Sequence, residues 1–235
     1  MTAGPVDARA IAARLAAVQG RIRAAERRFG RPEGSVSLVA VSKVQPAEAI
    51  RAAFAAGQRA YGESYAQEAL AKIAELADLP CEWHFIGRIQ GNKTRPIAEH
   101  FAWVHSLCDL NHARRLADQR PAGLPPLQVC IQVNLSGEAT KEGLAPEQVA
   151  GLLAECGGLE RIQIRGLMTL PAAATDETEQ RRPLRALREL RDRLASPSCP
   201  LEVLSMGMSD DLEAAVAEGA TLVRIGTAVF GPRPV

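Results

Sequence analysis

From residue 37 onward the chain repeats one two-part pattern, and that repetition restricts the fold more than any other feature. Eight short apolar runs, SLVAVS, RAYGE, CEWHFIG, AWVHSL, LQVCIQVN, RIQIRGLMTL, LEVLSMG and TLVRIG, each give way to polar turn residues. Most are followed by a segment with helical spacing: PAEAIRAAFAAG, YAQEALAKIAEL, LNHARRLADQR, PEQVAGLLAECG, ETEQRRPLRALRELRDRLA and SDDLEAAVAEG. The connection RIQGNKTRPIAEHF carries the weakest helical pattern, and Pro183 predicts a helix start or a kink near it. Strand–helix alternation builds βαβ units and a parallel sheet. Eight strands in a chain of roughly 250 residues suit a (β/α)8 barrel, and this chain has 235. The rival, a doubly wound open sheet, lacks its G-x-G-x-x-G after the first strand. The expected fold is therefore α/β, a single (β/α)8 TIM barrel over residues 37–235, within one domain spanning 1–235.

The first 30 residues add a helix outside that repeat. Ile11, Leu15, Val18, Ile22 and Phe29 fall three and four apart with arginines between them, and Gly30 and Pro32 stop the pattern. The arginines are assigned to the solvated face.

Composition removes several classes of function. A formal net charge of +1 and an aromatic content of 4% give no basis for nucleic-acid or acidic-membrane binding. Five scattered cysteines without a C-x-x-C pair predict neither a zinc site nor a disulfide framework. No metal is expected. No apolar run reaches transmembrane length and no signal-peptide core is visible, so the expected location is cytoplasmic.

In a barrel of this kind chemistry gathers where strands end. The first strand closes on Lys43, an amine in a chain that otherwise prefers arginine. Lys43 shares a strand face with Val39 and Val41, which turns it toward the barrel mouth. Lysine forms Schiff bases with carbonyls when burial or neighbouring cations lower its pKa; arginine cannot. At the other end of the repeat, GMSDDLEAA sets Gly207, Met208 and Ser209 before a helix, and RIGTAVFG ends in Gly226 and Thr227. The loops after strands seven and eight commonly hold phosphate in such barrels. Glycine permits close approach, threonine adds a hydroxyl, and backbone N–H groups at a helix start attract an anion. Asp210 and Asp211 must then face solvent or a basic neighbour. Strand alternation sends Arg224 into the mouth if Val223 and Ile225 face the helices. Each element alone has a plainer reading: a helix cap, a turn, a solvent-facing lysine, a structural ion pair. Together, a Schiff-base lysine and a phosphate cup describe either a pyridoxal phosphate site or a class I aldolase.

The segments LVAVSK, YGESYAQEALAKI, EWHFIGRIQGNK, RGLMTLP and LSMGMSDDLEAAVAEGATLVRIGTAVFG resemble the pyridoxal phosphate homeostasis protein family, in order, from about residue 37 to the C-terminus. The resemblance implies a barrel like the N-terminal domain of alanine racemase, binding pyridoxal 5'-phosphate (PLP). It implies that Lys43 holds the cofactor aldehyde as a Schiff base. Ser209, Gly226, Thr227 and the backbone around Met208 would hold the phosphate, with Arg224 near the pyridine nitrogen. Ser64 stands where the family reads Asn, a shorter polar group, and Gly91 where it reads Ser. His84 and Met168 are candidates to line the pocket, each with core packing as the alternative. Alanine racemases add a second domain and a partner tyrosine; this chain stops at Val235, and its tyrosines, Tyr61 and Tyr65, lie at the second strand. Racemisation needs two acid/base groups. The expectation is thus a non-catalytic PLP carrier acting in PLP homeostasis, a monomer, with PLP-dependent apo-enzymes as recipients. The alternatives are a weak PLP-dependent amino-acid racemase and, lower, a Schiff-base aldolase.

Overall fold

A computed structural model describes residues 6–136 and 142–232. Eight parallel strands close into a barrel in sequence order: β1 (Ser37–Val41), β2 (Ala60–Glu63), β3 (Glu82–Phe85), β4 (Trp103–Leu107), β5 (Leu127–Gln132), β6 (Ile162–Met168), β7 (Val203–Ser205) and β8 (Leu222–Ile225). Closure comes from β1 pairing with β8, with Val39 opposite Arg224. The α/β barrel expected from the alternation is therefore the observed fold.

Helices follow the strands: α2 (Ala47–Ala55), α3 (Ala66–Glu75), α4 (Thr94–His100), α5 (Leu110–Gln119), α6 (Val149–Cys156), α7 (Glu177–Leu194), α8 (Leu212–Ala217) and α9 (Thr227–Phe230); α1 (Ala8–Arg28) precedes β1. Single 3-10 turns at Gly91–Lys93 and Pro146–Gln148 lead into α4 and α6, which explains the weak pattern of RIQGNKTRPIAEHF. α7 runs without interruption through Pro183. Asp176 caps it by accepting from the N–H groups of Thr178 and Glu179, and Leu184, Leu187 and Leu190 anchor it to the core. That anchorage holds the helix across a residue that cannot donate to the carbonyl of Glu179.

α1 buries Ile11, Leu15, Val18, Ile22 and Ala25 against α2, α8 and α9. Its last turn holds Glu26, fully buried, whose carboxylate accepts from Arg23, from the N–H groups of Gly34 and Val36, and from Ser35. Burial pushes this carboxyl up, but Arg23 and the two backbone donors outweigh it and the net shift is downward. Glu26 thereby pins the link between α1 and β1.

α8 starts at Leu212, later than the pattern in SDDLEAAVAEG suggests. Asp211 turns its side chain back to accept from Met208 N at 2.6 Å, so residues 208–211 form a loop. Gly207 makes that loop possible. Its φ is +98°, and a Cβ there would lie 2.5 Å from Ala215 Cβ. Among the described residues no helix is long and apolar enough to cross a membrane, and no cluster of His, Cys, Asp and Glu suits a metal ion.

Candidate functional site

At the C-terminal ends of the strands lies a cavity of about 630 Å³. Its lining includes Lys43, Ser64, Met208, Ser209, Arg224, Gly226 and Thr227. Seven of the nine residues singled out from the sequence thus meet in one place, although they span 185 positions, from 43 to 227.

Lys43 sits two residues beyond β1, partly buried, with Val41 beside it on the lining. Ser209 and Thr227 bring hydroxyls from the loops after β7 and β8. Gly226 caps α9, and its carbonyl accepts from Val229 and Phe230. The N–H groups of Thr227 and Ala228, at the start of α9, have no intrahelical acceptor by position. A Cβ at Gly226 would approach Val41 O to 3.2 Å, filling a narrow part of the cradle. Met208 lines the cavity, yet its own N–H is engaged by Asp211. Asp211 also lies close enough to Arg224 to favour its charged form, and Asp210 does the same for Arg21. Asp211 thus turns its carboxylate to Met208 N, whereas Asp210 lies on the cavity lining near Arg21.

Arg224 is 4% exposed. It donates through Nη1 to Ser205 Oγ at 2.6 Å and through Nη2 to Thr169 O at 2.8 Å. Burial lowers its pKa to about 10, so it stays a cation and a donor at neutral pH. Behind it a polar chain crosses the barrel interior. Ser205 Oγ lies 2.7 Å from His105 Nδ1, His105 Nε2 lies 2.9 Å from His84 Nδ1, and His84 Nε2 lies 2.8 Å from Glu82 Oε1. The two ends dictate the protons. Arginine can only donate and a carboxylate can only accept. With one hydrogen on the serine and one on each neutral ring, every bond is made only if the chain donates from Arg224 toward Glu82. Burial lowers the pKa of both imidazoles, which keeps them neutral.

His84 therefore does not line the cavity: it is a link in this chain, buried to 1%, stacked on Trp103. Met168 does not line it either. It ends β6 fully buried, and its backbone carbonyl accepts from Val133 N.

Sequence reasoning missed Arg21. Placed on the solvated face of α1, it instead lines the cavity, bonded to Ser209 O at 3.0 Å and to both oxygens of Glu213 at 3.0 and 2.9 Å. Nothing in the Ala/Arg pattern of α1 separates it from its neighbours. The lining also includes Gln45, Ile86, Leu170 and Asp210.

The donor set of this cavity, one amine, the hydroxyls of Ser64, Ser209 and Thr227, and the guanidinium groups of Arg21 and buried Arg224, fits a phosphorylated carbonyl compound with an aromatic nitrogen. Comparison with known proteins gives the family and the fold. The family described as alanine racemase, N-terminal domain, matches residues 13–234. The pyridoxal phosphate homeostasis protein of Pseudomonas aeruginosa is 57% identical over 223 residues, covering 95% of this chain and 96% of that one. The chain belongs to the pyridoxal phosphate homeostasis protein family. A further member, from Escherichia coli K12, is 46% identical over 95% of this chain and 97% of its own. PipY of Synechococcus elongatus, solved without PLP, superposes with a TM-score of 0.84 at 41% identity, covering 94% of this chain and 100% of PipY. The PipY structure with PLP bound gives a TM-score of 0.82 over the same coverage. Alanine racemase of Corynebacterium glutamicum shares the fold at 18% identity, with a TM-score of 0.69 over 98% of this chain and 63% of the racemase.

Proposed function

We propose that this chain binds PLP at the barrel mouth and serves PLP homeostasis without efficient catalysis. The observation that carries this reading is the convergence of Lys43, the Ser209 and Gly226–Thr227 loops and Arg224 on one cavity. Relatives named for PLP homeostasis at 46–57% identity and a PLP-bound PipY structure support it.

Lys43 supplies an amine that condenses reversibly with the cofactor's aldehyde carbon, the C=N bond forming as the carbonyl oxygen leaves as water. Ser209, Thr227 and the first N–H groups of α9 take the phosphate, and Arg224 donates toward the pyridine nitrogen. When bound, PLP is an electron sink only to the extent that its ring nitrogen accepts charge. A buried, permanently donating arginine keeps that nitrogen unprotonated, so the site holds the cofactor while muting its chemistry.

Tyrosine placement supports a carrier over a racemase. Tyr61 is fully buried, its hydroxyl donating toward backbone carbonyls at Ile50 and Gln58, and Tyr65 is 58% exposed. Neither is on the cavity lining, so the second acid/base group of a racemase has no tyrosine candidate in this chain's cavity. The reading includes a cytoplasmic monomer that passes PLP to PLP-dependent apo-enzymes.

Borohydride reduction followed by peptide mass spectrometry tests the site. The expected result is one pyridoxyl adduct, on Lys43, absent from Lys43→Ala. An adduct on another lysine overturns the assignment, and turnover of amino acids at ordinary enzymatic rates overturns the carrier reading.

A further inference from the structure

The motif YGESYAQEALAKI carries three charged residues, Glu63, Glu68 and Lys72, that the cofactor reading leaves unused, and all three are hydrogen-bonded to the residues flanking Lys43. Lys72 is buried on α3 and directs its ammonium at three oxygens: Ser42 O at 2.7 Å, Glu63 Oε1 at 2.9 Å and Glu68 Oε1 at 2.5 Å. An ammonium has three protons, so these partners saturate it. Glu63 Oε1 also accepts from Ser42 Oγ at 2.6 Å, and Glu68 Oε1 also accepts from Val44 N at 2.6 Å. The residues on either side of Lys43 are therefore both tied to one buried charge cluster.

Val44 shows what the tie accomplishes. Its φ is +57°, a left-handed conformation in which a β-branched side chain crowds the backbone. Its side chain is not what holds it there, because Val44 is 43% exposed. The bond from its N–H to Glu68 is the restraint the structure displays. Glu63 adds a second sign of constraint: it is fully buried, with Oε2 lacking a hydrogen-bond partner among the described residues. A carboxylate left in that state is costly, and it persists here beside the residue that turns the chain toward the cavity.

We propose that Glu68, Lys72 and Glu63 form a clamp that forces the left-handed turn at Val44 and so holds Lys43 aimed at the cavity, making them positioning residues for Schiff-base formation. The proposal rests on the reading of Lys43 as the covalent anchor. Lys72 is the keystone, since its ammonium touches both carboxylates and the backbone of Ser42. Glu68 is the part that acts on the turn.

The test follows the rate at which PLP becomes trapped on Lys43 after quenching with borohydride. Glu68→Ala is expected to slow this by about tenfold, the size of effect that misplacing a reacting group produces. Its urea midpoint is measured alongside. Glycine or asparagine at position 44 takes a positive φ at little cost, so adding Val44→Gly or Val44→Asn to Glu68→Ala is expected to recover most of the rate. A network that merely stabilised the fold would lower the urea midpoint, leave the rate unchanged, and gain nothing from either second substitution; that pattern overturns the clamp. Trapping on Lys43 in the unsubstituted protein keeps the cofactor reading intact whatever the variants do. No trapping on Lys43 at all overturns both.

Discussion

Arg21 and Lys43 illustrate how differently two cations in one cavity can be read. Lys43 follows the first strand of a repeating pattern, two residues beyond β1, so its place at the mouth is legible from topology. Arg21 reaches the same cavity from α1, outside the repeat, and only its pairing with Glu213 and Ser209 O reveals it. Glu213 raises the pKa of Arg21 chiefly through their hydrogen bond, against burial, which lowers it. The pair thus presents an oriented cation beside Ser209, one of the residues proposed to take the phosphate. Replacing Arg21 with Leu is expected to weaken PLP binding about tenfold, as losing a charge-assisted hydrogen bond commonly does, while pyridoxal, lacking the phosphate, loses much less. The double substitution Ser209→Ala/Thr227→Val should show the same asymmetry. Isothermal titration with both ligands checks both variants, and equal losses for PLP and pyridoxal would remove the phosphate cup from these loops.

Among the elements, strand order is legible in the sequence because a buried parallel strand must be apolar on both faces and must be followed by a turn. Val39 and Ala40, fully buried, show the rule at β1. Helix boundaries are less legible where side chains choose tertiary partners over local ones. Asp211 stands at the N-cap of α8, but its side chain accepts from Met208 N and makes no cap bond to the helix, which runs only from Leu212 to Ala217. Pro183 is the opposite case: local chemistry argues for a break, and three buried leucines hold the helix together. The cost of that compromise is still present in the folded state. Proline in a helix interior costs about 3 kcal/mol, and part of this is offset because proline also restricts the unfolded chain. Pro183→Ala is therefore expected to stabilise the protein by about 1–3 kcal/mol, read as a higher urea midpoint with an unchanged m-value. A midpoint that does not rise would mean that α7 has already relaxed around the proline.

Across the whole molecule the polar chain from Arg224 to Glu82 links the cavity to the opposite end of the barrel, where the Glu82 side chain is 51% exposed at the start of β3. None of this is legible in the sequence. His84 and His105 sit on different strands, and the 100 positions between His105 and Ser205 hide their contact. The chain has a thermodynamic consequence with a definite sign. Burial lowers the pKa of both histidines below its ordinary value. Below about pH 6.5 the unfolded chain binds protons at both rings that the folded chain refuses. Stability is therefore highest above that pH and falls as the medium is acidified, by up to about 1.4 kcal/mol per pH unit for each ring. Glu63 acts in the opposite sense, because burial raises its pKa and Lys72 only partly reverses this, so acidification favours its folded form. Glu26, Glu213 and Glu218, all lowered, contribute their own acid sensitivity below the ordinary glutamate value of 4.5. The interval from about pH 6.5 to 5.5 thus sets two rings against one carboxyl, and the expected result is a net loss of stability on acidification. Urea titrations across that interval should show the midpoint falling, and the His84→Gln/His105→Gln double variant, though less stable throughout, should lose that slope. A midpoint in the unsubstituted protein that stays level from pH 7.5 to about 5.5 would mean that the folded protein takes up protons at these rings, which puts hydrogens on both facing nitrogens of His84 and His105 and breaks the chain assigned behind Arg224.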